Sequence, residues 1–308
     1  MKSSILVIIF IIEGTLVNLL YSQTASAYST SGNYKYCDRD FNGAISDFSK
    51  AIELNPGIDT LYNRRGAAYS EIRDYNRAID DFTKAIELNP KQGDFFYNRG
   101  LMYTNIGSYK KAIADFSEAI DLNSRDASSY NERGCVYDDL KKYKKAIADI
   151  SMAIEFEPKN CDYLYNRGLV YNHYKRHKMA IADFSHAIEL DPKNADYYND
   201  RGIAYNLSTL GDTIKVISDF STAIKLNPND YKAYFNRGLI YESQKKQEKA
   251  MQDYSKVVEL EPIEAEVNQT LGDVYYRLKE YEKACNSYNR ASNLGSKNAR
   301  KKVTKHCR

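Results

Sequence analysis

Residues 62–90 read YNRRGAAYSEIRDYNRAIDDFTKAIELNP, and the same pattern returns along almost the whole chain. With the unit numbered so that Gly66 is position 8, glycine holds that position eight times, at Gly32, Gly66, Gly100, Gly134, Gly168, Gly202, Gly238 and Gly272. The spacing is 34 residues throughout except for 36 between Gly202 and Gly238. All six prolines, Pro56, Pro90, Pro158, Pro192, Pro228 and Pro262, fall at position 32. A fixed period of this size marks a repeat array, one body whatever its length, rather than a string of unrelated domains.

Between these marks apolar residues recur every three to four positions, the period of amphipathic helices and not of strands. Proline cannot continue a helix, so position 32 is where one helix ends and the next begins. In the second unit this predicts helix A from about Thr60 to Ile72 and helix B from about Tyr75 to Leu88. Small residues at positions 8, 20 and 27 let the two helices approach closely, and larger ones there cost about 1–3 kcal/mol by overpacking. Units three and eight carry Ser124 and Ser296 in place of proline, which predicts softer turns there.

Composition fits thin helical layers. Of the 308 residues 28% are charged with a balance of only +3, so no whole-chain field points to nucleic acid. Tyrosine occurs 28 times against 11 phenylalanines and no tryptophan. A tyrosine buries its ring and keeps its hydroxyl near a polar partner, which suits a structure with little deep interior.

With Gly at 8, Tyr at 11, Ala at 20, an aromatic at 24, Ala at 27 and Pro at 32, the units resemble the tetratricopeptide repeat (TPR) family, over nearly all of residues 28–296. The resemblance implies an all-α fold, a right-handed superhelical α-solenoid of eight helix-turn-helix repeats. The repeats lie at about 25–58, 59–92, 93–126, 127–160, 161–194, 195–230, 231–264 and 265–296, with a basic capping helix over 297–308. Departures are local. Repeat one has Lys35 at position 11, which predicts a frayed or differently packed first helix. Repeat six has two extra residues around 206–213, most simply a longer turn between its helices. Repeat seven has Gln247 at 17 and Val257 at 27, and repeat eight has Asn268 at 4.

Two positions carry charge in register. Position 7 is arginine in six successive repeats (Arg65, Arg99, Arg133, Arg167, Arg201, Arg237), and position 23 is aspartate in seven (Asp47, Asp81, Asp115, Asp149, Asp183, Asp219, Asp253). In repeat eight both change together, to Leu271 and Ser287. Joint loss points to structural ion pairs that fix register. Whether the partner is in the same repeat or the next is open at this stage.

The family resemblance also implies that positions 2, 5, 9, 12 and 13 of the A helices line a concave binding face. Acids dominate there: Glu71, Asp94, Asp138, Asp139, Asp162, Asp196, Glu242, Glu266 and Asp273 against Lys232 and Arg277. This favours a protein or peptide partner with a neutral to basic segment. Positions 5 and 9 alternate. Odd repeats carry Tyr97 with Leu101, Tyr165 with Leu169, and Phe235 with Leu239; even ones carry Asn63 with Ala67, Asn131 with Cys135, and Asn199 with Ile203. Aromatic anchors beside amides able to bond an extended backbone suit peptide capture. The alternative is packing between adjacent A helices. The basic residues of the chaperone-tail clamp seen in some relatives are absent.

Residues 1–27 differ from the rest. Lys2 precedes apolar runs over Ile5–Ile12 and Leu16–Leu20, followed by Ala25-Ser26-Ala27. This describes a secretory signal peptide cut after Ala27, with Glu13 an awkward fit inside it. An uncleaved membrane anchor, or a soluble capping helix, are the alternatives; the apolar span is shorter than the roughly 20 residues a bilayer core requires. The first reading sends the array out of the cytoplasm; an anchor would leave it membrane-tethered, with a cytoplasm-facing adaptor as one form.

Five cysteines cannot all pair, and no CxxC spacing argues for zinc. In an exported protein Cys285 and Cys307 make the best disulfide, because the cap must fold back over the last B helix; closing that loop is worth about 3 kcal/mol in the chain-entropy account. His173 and His177 stand one turn apart, too few ligands for a metal site by themselves. There is no phosphate loop, zinc-protease helix or nucleophile elbow. No cofactor and no chemistry of its own are expected: the chain reads as an interaction scaffold, with an accessory subunit of an enzyme complex or a weak metal-binding protein as alternatives of another class.

Overall fold

A computed structural model describes residues 24–208, 212–260 and 263–307. The apolar segment 1–23, and with it most of the expected signal peptide, lies outside them. Seventeen helices and no strand occur among the described residues. The first, α1, covers 24–37. In unit order there follow α2 (Phe41–Leu54), α3 (Asp59–Glu71), α4 (Tyr75–Leu88), α5 (Gly93–Asn105), α6 (Tyr109–Leu122), α7 (Ala127–Asp139) and α8 (Tyr143–Phe156). Then come α9 (Cys161–His173), α10 (His177–Leu190), α11 (Ala195–Leu207), α12 (Thr213–Leu226), α13 (Tyr231–Ser243), α14 (Gln247–Glu259), α15 (Ala265–Arg277), α16 (Tyr281–Asn293) and α17 (Lys297–His306). The odd-numbered helices up to α15 are the A helices and the even ones the B helices of eight pairs, an α-solenoid.

The described chain divides into two compact units, one ending at Val170 and one beginning at Tyr171. Each helix pair of a solenoid buries its apolar face only against its neighbours.

Helix ends follow local chemistry. Most A-to-B turns have three residues, and the last but one adopts positive φ: Arg39, Arg73, Gly107, Lys141, Lys175, Lys245 and Lys279. The turn closes with a hydrogen bond back into helix A, as where the Asp74 N–H donates to the Tyr69 carbonyl at 2.9 Å. In repeat six α11 ends at Leu207 and α12 starts at Thr213, so the two extra residues do lengthen that turn. The turn of repeat three holds without proline: Asn123 Oδ1 accepts the Arg125 N–H at 3.2 Å, as Asn89 accepts from Lys91 at 3.4 Å in repeat two.

The core is a row of aromatic rings seated on glycines. A Cβ built on Gly66 would lie 2.9 Å from the Phe82 ring and one on Gly100 2.7 Å from Phe116. Phe82, Phe116, Phe220 and Tyr254 at position 24 are buried, and the alanines at 20 and 27 (Ala78, Ala85, Ala112, Ala119) are wholly so. It is the ring of residue 24, more than the facing backbone, that requires glycine at position 8.

The first repeat is not frayed. Lys35 Nζ lies 2.7 Å from Asp47, and the Ser31 hydroxyl donates to the same carboxylate at 2.6 Å. The lysine at position 11 supplies the cation that position 7 supplies elsewhere, and Tyr36 packs edge-on against Phe41. Ala25-Ser26-Ala27 forms the first described turn of α1, with Ala25 buried.

At the other end α17 is fastened to its neighbours. Cys285 and Cys307 are joined by a disulfide. Ser296 caps the helix by accepting the Ala299 N–H at 3.1 Å and donates to Gln269 Oε1 at 2.6 Å. Lys302 pairs with Asp273, and the His306 ring lies 4.5 Å from that of Tyr276. The basic helix is therefore docked on repeat eight, and Lys302 has an assigned partner.

Candidate binding face

The charged ladder sets the stage for this face because it holds each A helix in place. Arg65 Nε and Nη2 donate to Asp81 at 2.8 and 2.7 Å, and the same two-pronged pair joins Arg99 to Asp115, Arg133 to Asp149, Arg201 to Asp219 and Arg237 to Asp253. These pairs lie within one repeat. The remaining nitrogen, Nη1, reaches the preceding repeat: Arg65 to Ser49, Arg99 to Thr83, Arg133 to Ser117, Arg167 to Ser151, Arg201 to Ser185 and Arg237 to Ser221, at 2.9–3.1 Å. Position 25 is thus a third member of the ladder. A run of Ser or Thr there was visible in the sequence, but a hydroxyl without a charge gave no reason to link it to an arginine.

The guanidinium planes also lie against rings, with Arg99 Cζ 5.8 Å from both Phe96 and Tyr103. Hydrogen bonding to Asp81 holds the Arg65 guanidinium above its ordinary pKa even though burial opposes the charge. Each of these guanidinium groups is thus engaged within the array.

The amides at position 5 are engaged too. Asn63 Oδ1 accepts from Asn98 Nδ2 at 2.9 Å, Asn131 from Asn166 at 3.0 Å, and Asn199 from Asn236 at 3.2 Å. Asn131 and Asn199 also donate to Glu132 and Asp200, and both are buried. The even-repeat asparagine and the odd-repeat asparagine at position 6 form a bridge between adjacent A helices. The expectation that Asn131 and Asn199 are open to a peptide backbone is therefore corrected: a buried amide finds its partners inside, because leaving it unpaired costs more than one ordinary hydrogen bond gains.

The aromatic partners of the alternation are half-buried. The Tyr97 ring lies 5.9 Å from Phe116, and Leu101 joins the same cluster. Burial raises the Tyr97 phenol well above its usual pKa, with Glu132, Asp126, Tyr163 and Cys135 adding to it, so the ring sits beside α7 as well as above α6. Phe235 lies 6.3 Å from Tyr254 and packs with Leu239 on the C-terminal core. Tyr165 and Leu169 are likewise half-buried. These side chains both pack between helices and keep part of their surface accessible.

Carboxylates surround them unevenly. In the first unit Asp94, Asp139 and Asp162 are exposed and Asp138 partly so. In the second unit two of the acids are already engaged. Glu242 accepts from Arg277 Nε and Nη2 at 3.1 and 2.9 Å, and Asp273 accepts from Tyr288 and Lys302. The acidic character of the face is therefore carried chiefly by the first unit.

Cys135, at position 9, is pushed up to about 12 by burial and then by Glu132, Asp138 and Asp139, which keeps its thiol protonated. Cys37 and Cys135 are free thiols. His177 Nδ1 lies 3.1 Å from Asn172 Oδ1, and no group of three or more His, Cys, Asp or Glu side chains suited to a metal occurs among the described residues.

The tetratricopeptide repeat model matches residues 60–92, 93–126, 127–160, 161–194 and 231–263, and a second tetratricopeptide repeat model matches 265–298. The unmatched first and sixth repeats nevertheless form helix pairs. No curated protein matches the chain. Among solved structures, a tetratricopeptide repeat protein from Parabacteroides merdae is 21% identical with a TM-score of 0.65, covering 78% of this chain and 94% of that one. The crystal structure of MamA protein is 28% identical with a TM-score of 0.51, covering 57% and 96%. Pseudomonas aeruginosa pilF is 14% identical with a TM-score of 0.59, covering 69% and 96%.

Proposed function

The chain belongs to the tetratricopeptide repeat family, and from that premise we propose that it is a non-enzymatic scaffold that captures an extended protein segment on the A-helix face of its first unit. The observation that carries this reading is the pair of half-buried aromatic–leucine sets, Tyr97 with Leu101 and Tyr165 with Leu169, among the exposed carboxylates Asp94, Asp139 and Asp162. Rings held by packing on one side lose little freedom on binding and act as anchors. Uncompensated carboxylates favour a segment that is neutral to basic.

An extracytoplasmic setting completes the reading. It is supported by the apolar N-terminal stretch ending in Ala25-Ser26-Ala27 and by the Cys285–Cys307 disulfide, a bond that persists in oxidising compartments. A second reading, retention of the apolar segment as a tether, is favoured by one observation: Ala25-Ser26-Ala27 belongs to α1 and Ala25 is buried, so a cut after Ala27 removes part of a packed helix. The N-terminal residue of the mature protein distinguishes the two.

The test is a random-peptide display selected on the full chain. Enriched peptides should be neutral to basic and carry an apolar residue, and Tyr97→Ala combined with Tyr165→Ala should weaken their binding at least tenfold with helicity retained. Enrichment of acidic peptides, or unchanged binding by the double variant, overturns the proposal.

A further inference from the structure

The balance of only +3 conceals a local segregation of charge. In the first unit neighbouring A helices touch, α3 with α5 and α5 with α7, so the A-to-B turns of successive repeats lie along one edge. That edge is basic. Repeat two places Arg73 and Arg77 there, and repeat three Lys110 and Lys111. Repeat four adds Lys141, Lys142, Lys144 and Lys145, and all eight side chains are exposed. Repeat three has no acid from Tyr103 to Ala114. Elsewhere on the edge Asp74 caps α4 and Glu71 accepts from the Tyr36 hydroxyl at 3.3 Å, while Asp138 and Asp139 stand on the last turn of α7.

Helix stability does not call for these cations. Lys110 and Lys111 sit in the first turn of α6, and Lys144 and Lys145 in that of α8. The macrodipole favours negative charge at those ends, yet neither first turn holds an acid. Of the eight cations only Arg77 is ion-paired among the described residues, with Asp74 at 3.2 Å. Others lie over neutral rings: Lys111 Nζ is 5.2 Å from the centre of Tyr103, and Lys145 Nζ 5.4 Å from that of Tyr137. A ring steadies an ammonium without neutralising it. The turns of repeats two and three each expose an isoleucine beside the cations, Ile72 at 40% and Ile106 at 42%.

We propose that this edge of the first unit docks on a membrane surface rich in anionic phospholipid, with the cations among the headgroups and Ile72 and Ile106 at the acyl boundary. Clustered cations are drawn to such a surface, and apolar side chains beside them add shallow insertion. Six of the eight are lysines, mobile point charges that suit a fluid array of phosphates. A fixed phosphate on a protein calls instead for the arginine fork. A nucleic-acid strand calls for open aromatic faces. Here lysines cover Tyr103 and Tyr137, and the open apolar groups are aliphatic. Asp94 and Asp162 begin their helices at the opposite edge, so docking leaves them clear of the membrane.

The experiment sediments the full chain with vesicles of phosphatidylcholine and with vesicles of phosphatidylcholine and phosphatidylglycerol in equal parts. Any contribution of the apolar stretch over 1–23 is common to both, so the ratio of the two affinities is read. The mixed vesicles should bind at least tenfold more tightly, and the ratio should fall as salt rises. Lys110→Gln, Lys111→Gln, Lys144→Gln and Lys145→Gln together should lower it at least fivefold with helicity unchanged. Lys84→Gln, Lys91→Gln, Arg125→Gln and Lys159→Gln remove as many charges from exposed sites at or near the opposite edge, and should leave it within twofold. Ile72→Ser with Ile106→Ser should weaken binding to the mixed vesicles at least threefold. Equal binding to both vesicles, a ratio unmoved by the lysine variant, or one lowered as far by the control overturns the proposal. An isoleucine variant that binds like the parent also overturns it, in favour of a soluble polyanion such as a nucleic acid or an acidic protein. If the lysine variant loses helicity, the isoleucine pair decides.

Discussion

Arg99 and Asp115 face each other across one repeat, Nε to Oδ2 and Nη2 to Oδ1 both at 2.8 Å, while the third nitrogen of Arg99 reaches Thr83 of the repeat before. One guanidinium thus ties helix A to helix B and one repeat to the next.

Arg99→Ala should destabilise the first unit by about 3–5 kcal/mol, because Asp115 is left buried without its partner. Thr83→Val removes only the third hydrogen bond and should cost about 1.5–3 kcal/mol. Urea unfolding followed by hydrogen exchange in α3–α6 measures both. Equal losses in the two variants count against the division of labour between the pair and the inter-repeat tie.

In repeat one the same role falls to Lys35. Burial alone would raise the Asp47 carboxyl, but the Lys35 ammonium and Ser31 hydroxyl bring it below its ordinary value. A depressed carboxylate stabilises the fold fully above its unfolded pKa, about 3.9, and loses that contribution as pH falls through the lower folded value. Lys35→Gln should therefore speed hydrogen exchange of α1 and α2 at pH 7, and the difference from the parent should shrink below about pH 4. A difference that is constant with pH would mean that Lys35 acts by packing alone.

Gly134→Ala should cost about 1–3 kcal/mol. Its Cβ would meet Ile150 Cγ1 at 2.5 Å and the Ala146 carbonyl oxygen at 3.2 Å, and backbone cannot step aside as a flexible side chain does. Gly57→Ala is the control, with its nearest atom at 3.8 Å, and should be near neutral. Chemical denaturation of the two variants side by side checks the contrast.

Cys135 should alkylate far more slowly than Cys37 at pH 8 in the folded chain. Burial and the surrounding carboxylates push its thiol up to about 12, whereas Cys37 is exposed. Mass mapping after timed iodoacetamide exposure reads the ratio. Equal rates would mean that the α7 face opens to solvent more than its packing implies.

Much of this was legible from residues 62–90 and their copies. The helix pairs, the bounds of α3 and α4 to within a residue and the longer turn after Leu207 all follow from local period and steric size, which a linear pattern carries, whereas the ring that each position-8 glycine meets came only from the packing. The joint loss at Leu271 and Ser287 showed that positions 7 and 23 answer each other.

Tertiary structure alone decided which atoms meet across repeats. The Asn131–Asn166 bridge joins residues 35 apart on different helices, so the alternation read as a peptide-facing pattern is half interior ladder. Lys35 took the part of an arginine one turn away because both positions face the same buried carboxylate, a matter of side-chain reach. Likewise the sequence marked repeat eight as lacking a pair, but only packing shows that Leu271 and Ser287 are both buried there. The period sets the backbone because each turn depends on near neighbours in the chain; the faces depend on the volume and charge of side chains brought together by stacking, which no single repeat contains.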